Sequence, residues 1–344
     1  MPAAPPSPSG HPGAADQGMG RAKAPPHART LPLRVGTRGS PLALWQTRYF
    51  LQRLTTFCPV LRAMDVFEEH AIRTTGDATQ AAGTRLADLG GKGLFAKEIH
   101  EALLDRRVDF AVHSLKDLET DLPPGIVLAG TLVREDAREA LILPAGTAVD
   151  PQDPLASLPQ GVLVGSSSLR RQAQLLHLRP DLRFATIRGN VATRIERVRN
   201  GDFGATLLAL AGMKRLGLNG EAAAILGPEL LLPAACQGIV GVTVRADDVE
   251  LRAMLAGIED ADARAVSRAE RALLAALDGS CRTPIGGYAR LLEDGQLHLT
   301  GLVAREDGSF LLRRAITGAR GDAERLGQEL GASLRADTPR DILA

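Results

Sequence analysis

Six arginines and one lysine fall where short apolar stretches give way to helix-forming ones: Arg38, Arg170 with Arg171, Arg188 with Arg194, Arg215, and Lys116. Arginine presents a rigid fork of donors that matches carboxylate or phosphate, and lysine presents a point charge. In open α/β sheets, ligands settle outside the carboxyl ends of the strands. Junctions of this kind repeated along one chain predict a single cleft that holds several carboxylates or phosphates. Ser166, Ser167 and Ser168 stand where a helix begins, and free backbone N–H groups there favour anions. Ser40 opens another helix as its N-cap, with Pro41 at the first position. Asp117 is a carboxylate inside this basic setting, kept ionised by its neighbours and suited to stabilising a developing cation or moving a proton. Cys281 lies in Gly279-Ser280-Cys281-Arg282-Thr283-Pro284, a loop cysteine beside an arginine, accessible and readily ionised.

Rival chemistries fit less well. Gly90-Gly91-Lys92-Gly93 looks like a phosphate loop, but that motif needs Gly at 86 and Ser or Thr at 93, where Leu86 and Gly93 stand. His113 and Asp117 give two metal ligands without a third, so no metal is expected. Cys58 reads as incidental and Cys236 as a packing residue in a crossover segment.

The elements that must position these groups are legible as alternating strands and helices. Strands are predicted over 33–37, 66–74, 108–112, 162–164, 184–187 and 205–210, with helices opening at Pro41, Leu94 and after Ser168 and Asn190. That alternation indicates α/β architecture with largely parallel sheets. After about residue 255 the pattern changes to a long helix over 261–277, strands over 287–293, 296–303 and 309–316, and a closing helix over 321–335. This predicts a small α+β unit with a three-stranded antiparallel sheet.

The chain has 344 residues, enough for two or three domains at roughly 150 residues each. Its formal net charge is +1, from 41 Lys plus Arg against 40 Asp plus Glu, which argues against a nucleic-acid binder. Of those basic residues 36 are arginine, a total that codon preference explains but whose placement it does not. The first 30 residues hold seven of the 21 prolines and no apolar run, so residues 1–30 read as a disordered tail without a secretory signal. No uninterrupted apolar stretch is long enough for a membrane helix. A cytoplasmic protein, monomeric and without membrane or nucleic-acid partners, is expected.

The motifs together resemble the porphobilinogen deaminase (hydroxymethylbilane synthase) family, from about Leu33 to the C-terminus. The resemblance is carried by Thr37-Arg38-Gly39-Ser40-Pro41-Leu42-Ala43-Leu44-Trp45-Gln46, Gly90-Gly91-Lys92-Gly93-Leu94-Phe95 and His113-Ser114-Leu115-Lys116-Asp117. It continues through Ser167-Ser168-Leu169-Arg170-Arg171-Gln172, Arg188-Gly189-Asn190-Val191, Ala211-Gly212-Met213-Lys214-Arg215-Leu216-Gly217 and the Cys281 loop. Seven such stretches in order are specific where any one is weak.

The resemblance implies two periplasmic-binding-protein-like α/β domains plus a small α+β C-terminal domain. Their bounds would be 31–133 with 234–253, 134–233, and 254–344. It implies a transferase of heme (tetrapyrrole) biosynthesis. Four porphobilinogen units would be joined head to tail on a dipyrromethane cofactor, with loss of ammonia, and released as hydroxymethylbilane. Cys281 would hold the cofactor by a thioether, and Asp117 would serve the catalytic steps. Arg38, Ser40, Lys92, Lys116, Ser166, Ser167, Ser168, Arg170, Arg171, Arg188, Arg194 and Arg215 would bind the acetate and propionate groups, with Lys92 in a mobile Gly-rich lid. The sequence departs from the family pattern at Leu118-Glu119, where Val-Pro is usual, and at Cys236, where Gly is usual. It departs again at Gly279-Ser280, usually a Gly pair, and around Ile258-Glu259-Asp260, usually Leu-Asn-His. A two-lobed polycarboxylate-binding protein and an inactive paralogue are the alternatives; the Cys281 segment counts against the first.

Overall fold

A computed structural model describes residues 31–63, 66–78, 93, 95–277 and 283–343. The expected tail over 1–30, Lys92 and Cys281 lie outside the described residues. Strand β1 (Leu33–Arg38) feeds helix α1 (Pro41–Phe57), followed by α2 (Val60–Ala63), β2 (Phe67–Ile72), α3 (Thr75–Ala78) and α4 (Lys97–Leu104). Next come β3 (Phe110–Ser114), β4 (Ile126–Thr131) and β5 (Glu139–Ile142). Strand β6 (Leu163–Gly165) leads through α5 (Leu169–Leu178) to β7 (Arg183–Ala185) and α6 (Val191–Arg199). The middle of the chain closes with β8 (Ala205–Ala209), α7 (Leu210–Arg215), β9 (Ala224–Leu226) and β10 (Val240–Arg245). Helices α8 (Val249–Ala256) and α9 (Ala261–Ala276) precede β11 (Ile285–Leu291), β12 (Leu297–Ala304), β13 (Leu311–Gly318) and α10 (Ala323–Asp337).

Two five-stranded sheets share one plan. The first runs β2-β1-β3-β10-β4 and the second β7-β6-β8-β5-β9. In each, four strands point one way, and the fourth in order, β10 or β5, is antiparallel to both of its neighbours. Both reversed strands directly follow a crossing of the chain: β5 opens the second sheet, and β10 is the return to the first. The expected class, two α/β units with mostly parallel strands, holds. Strands β4, β5, β9 and β10 are additions to the sequence reading.

The first core seats α1 on its sheet: Phe50 and Leu54, four apart on the helix, meet Val35, Phe110 and Val242, with the Phe50 and Phe110 rings 6.1 Å apart. Ser40 caps α1 by accepting from the Ala43 N–H at 3.3 Å. The second sheet carries apolar residues on both faces, Leu141, Val164 and Leu207 on one side and Ala140, Ile142 and Leu208 on the other. That is the pattern of a sheet covered on both sides. The third sheet, β11-β12-β13, is antiparallel throughout, as predicted, and packs against α9 and α10. Those helices approach so closely that a Cβ on Gly327 would lie 2.3 Å from the Ala269 carbonyl oxygen.

The two crossings run side by side. Gln237 donates to the Ala137 carbonyl at 2.7 Å, and Arg134 donates to the Gln237 carbonyl at 2.8 Å. Gly238 at φ +89° leaves no room for a side chain, since its Cβ would meet the Glu135 carbonyl oxygen at 2.2 Å. Arg134 also reaches Glu270 of α9 at 2.6 Å. Glu270 is fully buried and accepts from the Ala289 N–H at 2.6 Å and from the Cys236 N–H. Burial raises the Glu270 pKa, while Arg134 and these N–H donors act the other way. One buried carboxylate therefore ties the crossings to the third sheet.

Candidate active site

The carboxyl ends of β1, β3 and β8 and the start of α6 surround a cavity of about 450 Å³ between the first and second sheets. From the first sheet come Arg38, Ser40, Gln46, Phe95, Lys116 and Asp117; from the second come Arg171, Asn190 and Arg194. Arg38 ends β1 and fans across three partners. It bonds Asp77 at 2.5 Å, lies 3.6 Å from Asp117, and stacks over the Phe95 ring at 4.2 Å. Burial pushes the Asp77 carboxyl up, but its bonds from Arg38 and Thr74 hold it below its ordinary value. Asp77 thus fixes Arg38 while Asp117, about one-third exposed, remains open toward the cavity.

Lys116 and Asp117 sit in the single 3₁₀ turn that follows β3. Lys116 is accessible to water from within the cavity yet ringed by protein. That surrounding, with Arg171 and Arg170 nearby and Asp117 and Glu139 opposing them, brings its pKa down to about 8. Its ammonium donates to Gln237 Oε1 at 3.3 Å, which connects the cavity floor to the return crossing. His113 is buried, shares a 2.8 Å hydrogen bond with Thr243, and is driven to about 3 by burial and by His100, so it is neutral. It lines the cavity as a neutral imidazole held by Thr243.

On the other wall, Glu139 begins β5 with no exposed surface and bridges two guanidiniums, Arg170 at 2.6 Å and Arg171 at 2.7 Å. Burial disfavours its charge, but the two arginines outweigh that and bring it to about 2. Arg171 also donates to the Leu207 carbonyl at 2.9 Å, while its Nε has no hydrogen-bond partner. An arginine held on one side and unsatisfied on the other suits an incoming acceptor. Arg194 donates to the Gly189 carbonyl at 2.9 Å. Burial, then the nearby charges of Arg171 and Arg188, brings its pKa to about 10, so it stays charged at neutral pH and is crowded by like charge. Anionic ligands would relieve that repulsion.

Of the residues singled out in sequence, Arg38, Ser40, Lys116, Asp117, Arg171 and Arg194 line this cavity. Others stand behind or beside it. Arg170 spends its guanidinium on Glu139 and on the Leu232 carbonyl, the latter at 2.5 Å, which makes it a brace for Arg171 and the crossing. Arg188 is buried next to Arg194. Arg215 donates to the Gly238 carbonyl at 2.6 Å. Ser168 caps α5 by accepting from the Arg171 N–H, Ser166 accepts from the Ser168 N–H at 3.1 Å, and Ser167 donates to the Ile187 carbonyl at 2.5 Å. The serine hydroxyls thus organise the turn that launches α5. Glu139, Gln46 and Phe95 were not singled out as functional. The signal for Glu139 was a carboxylate at the head of the apolar run Ala140-Leu141-Ile142-Leu143.

A family model for the porphobilinogen deaminase dipyromethane cofactor-binding domain matches residues 33–253, and one for the porphobilinogen deaminase C-terminal domain matches 264–336. The chain belongs to the porphobilinogen deaminase family. Every residue that lines the cavity falls in the segment matched to the cofactor-binding domain of these deaminases. Porphobilinogen deaminases act in tetrapyrrole synthesis with porphobilinogen as substrate. Similar solved structures include the BvgS periplasmic VFT2 domain of Bordetella pertussis, at 16% identity over 66% of this chain and 86% of that one, with a TM-score of 0.38. Another is an arginine-specific periplasmic binding protein of Salmonella typhimurium, at 13% identity over 66% of this chain and 90% of that one, with a TM-score of 0.37. Among the described residues no helix is long and apolar enough to cross a membrane. No cluster of three or more metal-ligating side chains occurs among them either.

Proposed function

We propose that this chain is an active porphobilinogen deaminase, a transferase that joins four porphobilinogen units head to tail and releases hydroxymethylbilane. The observation that carries the reading is the cavity itself: Arg38, Lys116, Arg171 and Arg194 around one open carboxylate, Asp117. Its donor chemistry fits a dipyrromethane, whose acetate and propionate groups need several cations and whose ring N–H groups need an acceptor. When bound, that group would supply the free pyrrole carbon to which the first substrate unit is added.

The protein's own groups have separable tasks. Arg171 and Arg194 hold carboxylates from the second sheet, and Lys116 does so from the first. Arg38 orients Asp117, at 3.6 Å, without satisfying all of its oxygens. Asp117 accepts pyrrole N–H bonds and stabilises the positive charge that grows on porphobilinogen as ammonia leaves. It also takes the proton that the ring carbon must lose after coupling. Attachment falls to Cys281, by thioether. Of the other cysteines, Cys236 is buried and its thiol is pushed up to about 12 by burial and Glu270, which leaves it un-ionised and unreactive. The functional units are 31–133 with 234–253, 134–233, and 254–344, working in the cytoplasm.

The test is turnover. Purified protein given porphobilinogen should release ammonia and form a linear tetrapyrrole, and Asp117→Asn should lower the rate by at least about a hundredfold with its fold intact. Wild-type protein that binds porphobilinogen without releasing ammonia would favour a binding module instead.

A further inference from the structure

Six pyrrole units outgrow the space of about 450 Å³ that the described residues enclose in the active-site cavity. Each unit with its acetate and propionate has about fifteen non-hydrogen atoms, so six amount to roughly three drug-sized ligands, each of which ordinarily fills a pocket of about 300–1,000 Å³. The cavity between the two sheets measures about 450 Å³. A second groove, about 440 Å³, begins at its edge: Pro41 and Leu216 line both spaces. From there the groove follows the outer face of α1 past Trp45 and Tyr49, whose rings are stacked with centroids 5.1 Å apart and planes 19° from parallel. The Arg215 guanidinium stands over the Trp45 ring at 5.9 Å, and exposed Arg48, paired with Glu69 at 3.1 Å, lies further along.

We propose that this groove is an overflow subsite, where the later units of the growing carboxylate-bearing pyrrole chain lie against Trp45 and Tyr49. The proposal rests on the deaminase reading above. Flat electron-rich rings stack on aromatic side chains without needing a fixed register. That tolerance suits a chain that advances one unit at a time. Arg215 and Arg48 supply cations for the side chains of those units. Arg215 is anchored to the Gly238 carbonyl of the return crossing, which keeps its charge at the junction of cavity and groove. The arginine that sequence placed in the cleft thus serves the path leading out of it.

The test is the ladder of covalent species seen by intact mass when the protein is given limiting porphobilinogen. In Trp45→Ala, the species with one and two added units should form at the wild-type rate. Formation of the third and fourth should slow by about tenfold, so that the two-unit species accumulates. Trp45→Phe, which keeps a stacking ring, should restore the ladder to within about twofold. A Trp45→Ala ladder identical to wild type would overturn the proposal, as would equal slowing of every step, which would mark Trp45 as a support for the whole cavity. Wild-type protein that forms no ladder at all would overturn the deaminase reading, and the subsite with it.

Discussion

Lys116 shows how one side chain can set a pH limit. Its ammonium stands in the cavity with a pKa lowered to about 8 by the protein that rings it and by Arg171 and Arg170. As pH rises through 8, the free protein loses that charge, and its hold on carboxylates weakens. We expect kcat/KM for porphobilinogen to fall above pH 8, and Lys116→Arg to move that fall to higher pH. Stability runs the other way. The folded pKa lies below the unfolded one, so between pH 8 and about 10.4 the unfolded chain binds more protons and folding gains from deprotonation. A loss of activity that tracks a loss of fold above pH 8 would refute this assignment. His113, at about 3, adds no limb between pH 5 and 8.

At the same scale, sequence could not rank the cations it singled out. Arg170 and Arg171 are adjacent in the chain and both bond Glu139, yet only Arg171 lines the cavity. The difference comes from which carbonyl each reaches, Leu232 or Leu207, and those contacts are set by chain far away in sequence. Glu119, the departure after Leu118, brings a carboxylate oxygen 3.1 Å from His100 Nδ1.

At the scale of elements, some of the strands legible in sequence are followed by a helix with a clear cap, such as β1 before Ser40 and β6 before Ser168. The strands added by the structure lack that signal. Strand β5 opens on a charged Glu139, β9 is three residues long, and β10 follows a crossing rich in small residues. Their pairing is antiparallel or at an edge, decided by where the chain returns rather than by local pattern. The crossings themselves are tightly specified. Cys236 holds a left-handed φ of +63°, where a side chain is disfavoured, and Gly238 holds φ +89° against Glu135. Gly238→Ala should therefore destabilise the protein by more than about 2 kcal/mol, through left-handed strain and displacement of the opposing crossing. Thermal unfolding of the variant checks this, and an unchanged midpoint would show that the crossings tolerate separation.

For the whole molecule, the near-zero net charge conceals a strongly basic cavity. The cations gather where β1, β3 and β8 end, while acidic partners such as Asp77 and Glu139 hold them as braces. A sequence total cannot show that separation, because it arises only when two sheets face each other. The third sheet joins the arrangement through Glu270, which bonds Arg134 and the Cys236 N–H of the crossings and the Ala289 N–H of β11.

The central claim, a deaminase that carries its own dipyrromethane on Cys281, is tested most directly by the intact mass of freshly purified protein beside that of Cys281→Ala. The account predicts an excess equal to two pyrrole units on the wild-type chain and none on the variant. A wild-type chain without the excess, or a variant that retains it, would contradict the account.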